Sequence, residues 1–194
     1  MGKFFENLGA VLIAGLALAV LIAVFPDSGY RPPTGDALNG MLQWIHVFLG
    51  VLWIGLLYYF NFVQIPTMPQ VPAELKPGIS KHIAPAALFY FRWGAALTVL
   101  SGIALAESYG YLMEALTLQR DFRLIGIGMW LALIMAFNVW FVIWPNQKRA
   151  LGIVPAEDAA KARSASVAMM ASRTNLILSL PMLYCMVTQT HVGG

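Results

Sequence analysis

Five long apolar segments determine what this chain can fold into. Each has about 18 residues or more with few charges, which is enough for a helix to cross the roughly 30 Å hydrocarbon core of a bilayer. Because backbone groups in lipid must bond one another, helices are predicted rather than strands. The segments lie at about residues 8–25, 41–63, 83–106, 124–144 and 166–188. We therefore predict an all-α integral membrane bundle of about five transmembrane helices, with residues 1–194 as a single domain.

The composition excludes an ordinary soluble domain. Of 194 residues, 59% are hydrophobic and only 11% are charged, whereas a soluble domain carries roughly 25% charged residues. The single cysteine, Cys185, lies in the fifth segment and leaves no disulfide to form within the chain. No basic patch with interleaved aromatics supports nucleic-acid binding. The sequence also contains no His-Glu-x-x-His or Cys-x-x-Cys-His string, so it predicts no metal site and no covalent haem.

The distribution of Lys and Arg predicts an orientation, because these residues concentrate in cytoplasmic loops. Eight lie in the N-terminal tail, in the connection between the second and third segments, and between the fourth and fifth segments or just beyond. Three lie on the opposite side, and Arg92 lies within the third segment. We expect the N-terminus inside, the C-terminus outside, and a multi-pass location in a membrane. The stretch from Glu157 to Arg163 follows Pro155 and predicts a helical extension of the last segment.

His46 is a candidate functional residue in the second segment. It lies about six residues into that segment, roughly 9 Å below the outer interface at about 1.5 Å per residue. It can ligate haem b, with Gly50 leaving space for the macrocycle, or hydrogen-bond to another helix, with Gly50 and Gly55 allowing close packing. A haem between two helices needs a second ligand at similar depth. His191 follows the last segment on the same side, whereas His82 lies on the other.

Arg92 is the most costly residue to bury, because it lies about ten residues into the third segment. Asn138 and Asn175 fall in the same inner half of the membrane, with Asn61 and Arg173 nearer the cytoplasm, and together they predict a polar intramembrane cluster. Amide and carbonyl oxygens would bind the guanidinium, since no Asp or Glu occurs at that depth. Arg92 then either binds an anion (a substrate, a cofactor propionate or a lipid phosphate) or joins helices.

Several strings carry a resemblance to a known family. They are Trp44-Ile45-His46-Val47, Arg92-Trp93-Gly94-Ala95, Asn138-Val139-Trp140-Phe141-Val142-Ile143-Trp144-Pro145-Asn146-Gln147-Lys148 and Ala171-Ser172-Arg173-Thr174-Asn175. Over roughly residues 40–190 the chain resembles the membrane module of the bacterial cytochrome-c-linked urate oxidase (urate hydroxylase) family. In that family a c-type cytochrome domain follows the membrane module and accepts electrons. The resemblance carries over Arg92, Asn138, Arg173 and Asn175 as shared motif positions.

This chain departs from the family in two ways. It lacks Cys-x-x-Cys-His within its 194 residues, and its membrane part is shorter than the usual one. Urate oxidation by this chain alone is therefore not predicted.

Three functions remain open at this point. The first is an accessory subunit of a larger respiratory or photosynthetic membrane complex. The second is a membrane oxidoreductase module that binds haem b through His46 and His191 and passes electrons to a separate cytochrome c. The third is a carrier of anions or other small molecules that uses the Arg92 cluster. The expected partners are the lipid bilayer, other membrane subunits and a cytochrome c.

Overall fold

The computed structural model describes residues 2–24 and 36–192, and the side chains of residues 4–22 and 37–189. Within these ranges the chain is helical and contains no strand. The predicted all-α class is therefore confirmed.

The chain divides into two compact units, Met1–Leu38 and Asn39–Gly194. In the first unit a short turn, Gly2–Phe5, precedes helix α1, Leu8–Val24. Asn7 Oδ1 accepts a hydrogen bond from the backbone N–H of Ala10 at 3.2 Å, which satisfies one of the free donors at the start of α1. Helix α1 coincides with the first predicted segment.

The second unit contains the other helices. Helix α2 covers residues 36–70 as Asp36–Tyr58, Tyr59–Gln64, Ile65–Thr67 and Met68–Gln70. Helix α3 covers Lys76–Gly78, Ile79–Ile83 and Ala84–Ser108, and the short helix α4 is Leu112–Leu116. Helix α5 covers Arg120–Phe122, Arg123–Phe137, Asn138–Ile143 and Trp144–Ala150, and helix α6 is Asp158–Val192.

Helices α2, α3 and α5 each contain a π-helical segment that ends two residues before a proline. These segments are Tyr59–Gln64 before Pro66, Ile79–Ile83 before Pro85 and Asn138–Ile143 before Pro145. Proline lacks an N–H, and its ring clashes with the carbonyl four residues earlier in an α-helix. A π-helical turn is wider, so it lets the helix pass the proline without a break. Pro66 and Pro69 fall between the second and third predicted segments, where a connecting loop is expected, but they lie in helical turns instead.

Three helical runs are long and apolar enough to cross a membrane: Ala37–Gln70, Lys76–Ser108 and Arg120–Ala150. They contain the second, third and fourth predicted segments. Helix α1 has 17 residues and is shorter. Helix α6 has 35 residues and carries four charges, Asp158, Lys161, Arg163 and Arg173. It contains the fifth segment and confirms the predicted helical extension, which begins at Asp158.

The core of the second unit lies between α2, α3, α5 and α6. Trp53 and Leu57 of α2 and Met135 of α5 are fully buried, and Phe91 of α3 is 1% exposed. Phe60 meets Phe91 edge to face with their ring centroids 5.5 Å apart, which is a favoured aromatic geometry. This core holds the four helices at the level where the polar side chains described below meet.

Aromatic rings stack along the connection between α3 and α5. Tyr109 and Tyr111 stack with centroids 6.1 Å apart, and Tyr111 stacks on Phe122 at 5.4 Å. Burial and the neighbouring Tyr109 hydroxyl raise the pKa of Tyr111 above its usual value. At the same end, Gln189 Oε1 of α6 accepts a hydrogen bond from the backbone N–H of Ile125 at 3.1 Å. This N–H lies in the first α-helical turn of α5, which begins at Arg123, and such donors have no partner within the helix.

Two glycines of α5 permit close contact with its neighbours. A Cβ on Gly126 would collide with the carbonyl oxygen of Ala115 in α4, and one on Gly128 would lie 2.8 Å from Cβ of Cys185 in α6. The absence of a side chain at these positions sets how closely α4 and α6 approach α5.

We predict that Gly126→Ala lowers the midpoint of thermal unfolding in detergent. The added methyl group forces α4 away from α5, and overpacking of this kind costs about 1–3 kcal/mol. The matched control is Gly55→Ala in α2, where a Cβ meets no atom within 4 Å and alanine favours the helix. Equal unfolding midpoints for the two variants would show that the α4–α5 contact is not tight.

Candidate functional site

Two asparagines join α5 and α6 inside the bundle. Asn138 Nδ2 donates to Asn175 Oδ1 at 2.8 Å and to the carbonyl of Ala171 at 3.0 Å. Asn175 Nδ2 in turn donates to the carbonyl of Met135 at 3.1 Å. Asn175 is completely buried, so water cannot replace these bonds. The structure thus brings together Asn138 and Asn175 of the predicted polar cluster.

A third asparagine adds α2 to this arrangement. Asn61 Nδ2 donates to Ser172 Oγ of α6 at 2.8 Å and to the carbonyl of Leu57 at 2.9 Å. Asn61 is 1% exposed, and its Oδ1 is buried with no hydrogen-bond partner among the described residues. We call Asn61, Asn138, Asn175 and Ser172 the amide cluster. Ser172 was not identified from the sequence, although it adjoins Ala171 and Arg173 in one of the quoted strings.

The amide cluster lies at two of the π-helical segments. Asn61 is within Tyr59–Gln64, and Asn138 is the first residue of Asn138–Ile143. Segments of this kind often mark functional sites. A groove of about 420 Å³ between α5 and α6 reaches Asn138, and its lining is apolar apart from Asn138 and Thr174.

Arg92 and Arg173 lie outside the hydrogen bonds of the amide cluster. Arg173 is exposed. Arg92 Cζ lies 3.4 Å from the ring centroid of Trp144 and 6.0 Å from that of Trp140, a cation–π arrangement. Arg92 Nε and Nη1 are buried without a hydrogen-bond partner among the described residues. The amide and carbonyl oxygens expected around the guanidinium are therefore not in place.

The direction of the side chain explains this difference. In an α-helix long side chains point back toward the helix N-terminus, so the guanidinium of Arg92 is displaced toward the start of α3. Trp144 lies near the end of α5, and Trp140 Nε1 donates to the carbonyl of Arg92 at 3.1 Å. The start of α3 and the end of α5 are thus side by side, and the guanidinium meets the tryptophans there.

Lys148 approaches the same indole as Arg92. Its Nζ lies 5.6 Å from the ring centroid of Trp144. Trp140, Trp144 and Lys148 are four residues apart in turn, which places them along one side of α5. This spacing was the sequence signal that the two tryptophans share a face with a cation.

His46 contacts the C-terminal half of α3. Its Nδ1 lies 3.0 Å from the carbonyl of Thr98 and 3.2 Å from Ser101 Oγ. A carbonyl only accepts, so Nδ1 carries the proton of the neutral ring and Nε2 keeps its lone pair. The ring lies against Gly102, where a Cβ would be 2.8 Å from His46 Cε1.

The predicted hydrogen bond from His46 to another helix is therefore present. The closest approach is at Gly102 rather than at Gly50 or Gly55, whose added Cβ would meet only Thr98 Cγ2 at 3.9 Å and no atom, respectively. The side chain of His191 lies outside the described residues, so the pairing of His46 with His191 stays a prediction. His82 is exposed near the start of α3.

The described residues contain no group of three or more His, Cys, Asp and Glu side chains that could hold a metal ion. The groups suited to ligand binding are instead the unpaired cations at Trp144 and the free Nε2 of His46.

The fold and these sites define an all-α protein, with three helical runs long and apolar enough to cross a membrane and with helices joined by buried amides. A family model described as urate oxidase N-terminal matches residues 109–193. This match confirms, over that part of the chain, the family resemblance derived from the sequence. It includes α4, α5 and α6, with Asn138 and Asn175 of the amide cluster. Comparison with curated proteins and with solved structures found no match.

We predict that Asn175→Ala destabilises the bundle by about 1–2 kcal/mol. The change removes the acceptor of Asn138 and the donor to Met135, and hydrogen bonds between membrane helices contribute up to about 1.7 kcal/mol. Thermal unfolding in detergent measures the effect.

Thr174→Ala is the matched control for Asn175→Ala. Thr174 is exposed and bonds only to Met170 of its own helix, at 3.1 Å. A loss of stability as large as that of Asn175→Ala would argue against a special role for the amide cluster.

Proposed function

We propose that this chain is a five-helix protein of the bacterial inner membrane, with its N-terminus inside and its C-terminus outside. Three helical runs have the required length and hydropathy. Helices α1 and α6 supply the other two spans, because α1 is uncharged and α6 carries no Asp, Glu, Lys or Arg beyond Arg173. The excess of Lys and Arg at alternate connections supports this orientation.

Within the membrane the chain acts as an accessory subunit of a larger respiratory complex related to cytochrome-c-linked urate oxidases. The observation that carries this proposal is the family match over residues 109–193, which covers the two helices that supply Asn138 and Asn175. These 194 residues contain no Cys-x-x-Cys-His. A c-type haem that receives electrons in such a complex is therefore carried outside them.

Native mass spectrometry of membranes solubilised in mild detergent tests the subunit proposal. We expect the tagged chain in a species heavier than the 21.3 kDa of this polypeptide, together with a c-type cytochrome chain. A harsher detergent should release the 21.3 kDa chain from that species. Recovery of nothing but this chain or multiples of it, under the mild conditions, would contradict the proposal.

A second candidate function is electron transfer through haem b at His46. The bond from Nδ1 to Thr98 fixes the ring with Nε2 available, which is how imidazole ligands are usually oriented by their surroundings. His46 would thus hold the haem iron through Nε2, and His191 or a residue of another subunit would supply a further ligand. A haem b bound there would supply one-electron transfer. His46 would bind its iron, and Thr98 and Ser101 would hold the imidazole in position.

We predict that His46→Ala abolishes a haem b spectrum if this second function is correct. The reduced-minus-oxidised difference spectrum of the purified chain should then show Soret and α bands that the variant lacks. His82→Ala is the control, because His82 is exposed and its loss should leave the bands unchanged. Wild-type protein without these bands would refute the haem proposal and leave the subunit proposal intact.

A further inference from the structure

Two cations approach a single tryptophan at the junction of α3 and α5. The guanidinium carbon of Arg92 lies 3.4 Å from the ring centroid of Trp144, and Nζ of Lys148 lies 5.6 Å from the same centroid. Both side chains are half-buried. The indole attracts each cation through its ring electrons, but it adds no negative charge to the pair.

The two positive charges are not neutralised by the described part of the chain. The ion pair found there joins Lys161 and Asp158, and no carboxylate of the described residues lies within 4 Å of Arg92 or Lys148. Repulsion between like charges increases as the local dielectric constant falls. An arrangement of this kind at a membrane boundary is stabilised when an anion binds beside both cations.

The hydrogen-bonding groups of Arg92 point to the kind of anion. Its Nε and Nη1 are buried and have no acceptor among the described residues, and a donor in this state is costly. The Trp144 ring covers the face of the guanidinium, so the donors along its edge remain to be satisfied. Each of these nitrogens shares one edge of the planar guanidinium with Nη2, and either edge presents two parallel N–H groups that match two oxygens of a phosphate group.

The surroundings of the two cations are apolar and aromatic. Trp93 packs edge to face on Trp140 with centroids 5.5 Å apart, and Phe89 lies 6.5 Å from Trp93. Phe89 and Trp93 are 50% and 46% exposed. A phospholipid has the complementary structure, with a phosphate beside its acyl chains, and tryptophans with basic residues are typical of the level of its headgroups.

We propose that Arg92, Trp144 and Lys148 form a binding site for a phosphate group, supplied by an anionic phospholipid of the inner leaflet. The Arg92 guanidinium donates to the phosphate oxygens, Lys148 adds a second positive charge, and the exposed rings of Phe89 and Trp93 contact the acyl chains. This site rests on the membrane orientation proposed above, but it is independent of haem at His46 and of any partner subunit.

Titration of the purified chain with short-chain phosphatidylglycerol tests the site, with bound lipids counted by native mass spectrometry. We expect phosphatidylglycerol to bind more tightly than phosphatidylcholine, whose quaternary amine is repelled by the two cations. Arg92→Gln should raise the dissociation constant for phosphatidylglycerol about tenfold, as expected for loss of charged hydrogen bonds. Lys148→Gln should raise it about fivefold.

Arg149→Gln is the matched control, because Arg149 is an exposed neighbour of Lys148. This substitution should leave the dissociation constant for phosphatidylglycerol unchanged. Circular dichroism and the unfolding midpoint establish that each variant is folded. If Arg92→Gln does not fold, the comparison of Lys148→Gln with Arg149→Gln decides the outcome.

Equal binding of the two lipids, or unchanged phosphatidylglycerol binding in Arg92→Gln and Lys148→Gln, would overturn the proposal. Competition by inorganic phosphate at millimolar concentration distinguishes the source of the phosphate group. No displacement of phosphatidylglycerol is expected, and full displacement would assign the site to a soluble phosphate and refute the lipid as its ligand.

Discussion

The hydrogen bond from Asn138 to Asn175 is the interaction on which the bundle depends most. Lipid tails are as apolar as the helix surfaces, so hydrophobic burial does little to choose one helix pairing over another in a bilayer. Buried amides favour one particular helix pairing, because each amide must find a hydrogen-bond partner where no water is available. Asn138 holds α5 against α6 at 2.8 Å, and Asn61 attaches α2 to the same stretch of α6 through Ser172. These bonds fix the positions of α2, α5 and α6 along one another, and the rest of the core packs around them.

Glycines and prolines allow the helices to lie in these positions. Gly102 lets the imidazole of His46 lie directly on α3, and Gly126 lets α4 rest on α5. Prolines act on the backbone, since Pro66 and Pro145 each follow a π-helical segment that contains one of the asparagines. The polar contacts and the helix irregularities of this protein are therefore located together.

Much of the fold could be predicted from the sequence, but less of the candidate site. The apolar segments predict helices because lipid leaves the backbone no other choice, and the stretch after Pro155 predicts the start of α6. The position of Arg92 on Trp144 depends on side-chain direction and on which helix lies antiparallel to α3, and neither is contained in a linear pattern. His46 bonds to the backbone carbonyl of Thr98. Because a residue of any type has such a carbonyl, this partner could not be predicted from the sequence. Pro66 was misassigned to a loop because a widened turn has no clear sequence signal.

A π-helical segment also changes which neighbour a helix faces. It corresponds to one residue added to a regular α-helix, and each added residue rotates the following part by about 100°. In α5, Gly126 meets α4 before the segment, Asn138 meets α6 where the segment begins, and Trp144 meets Arg92 of α3 after it. The residue added at Asn138–Ile143 thus rotates the end of α5 that carries Trp144 relative to the part that carries Gly126.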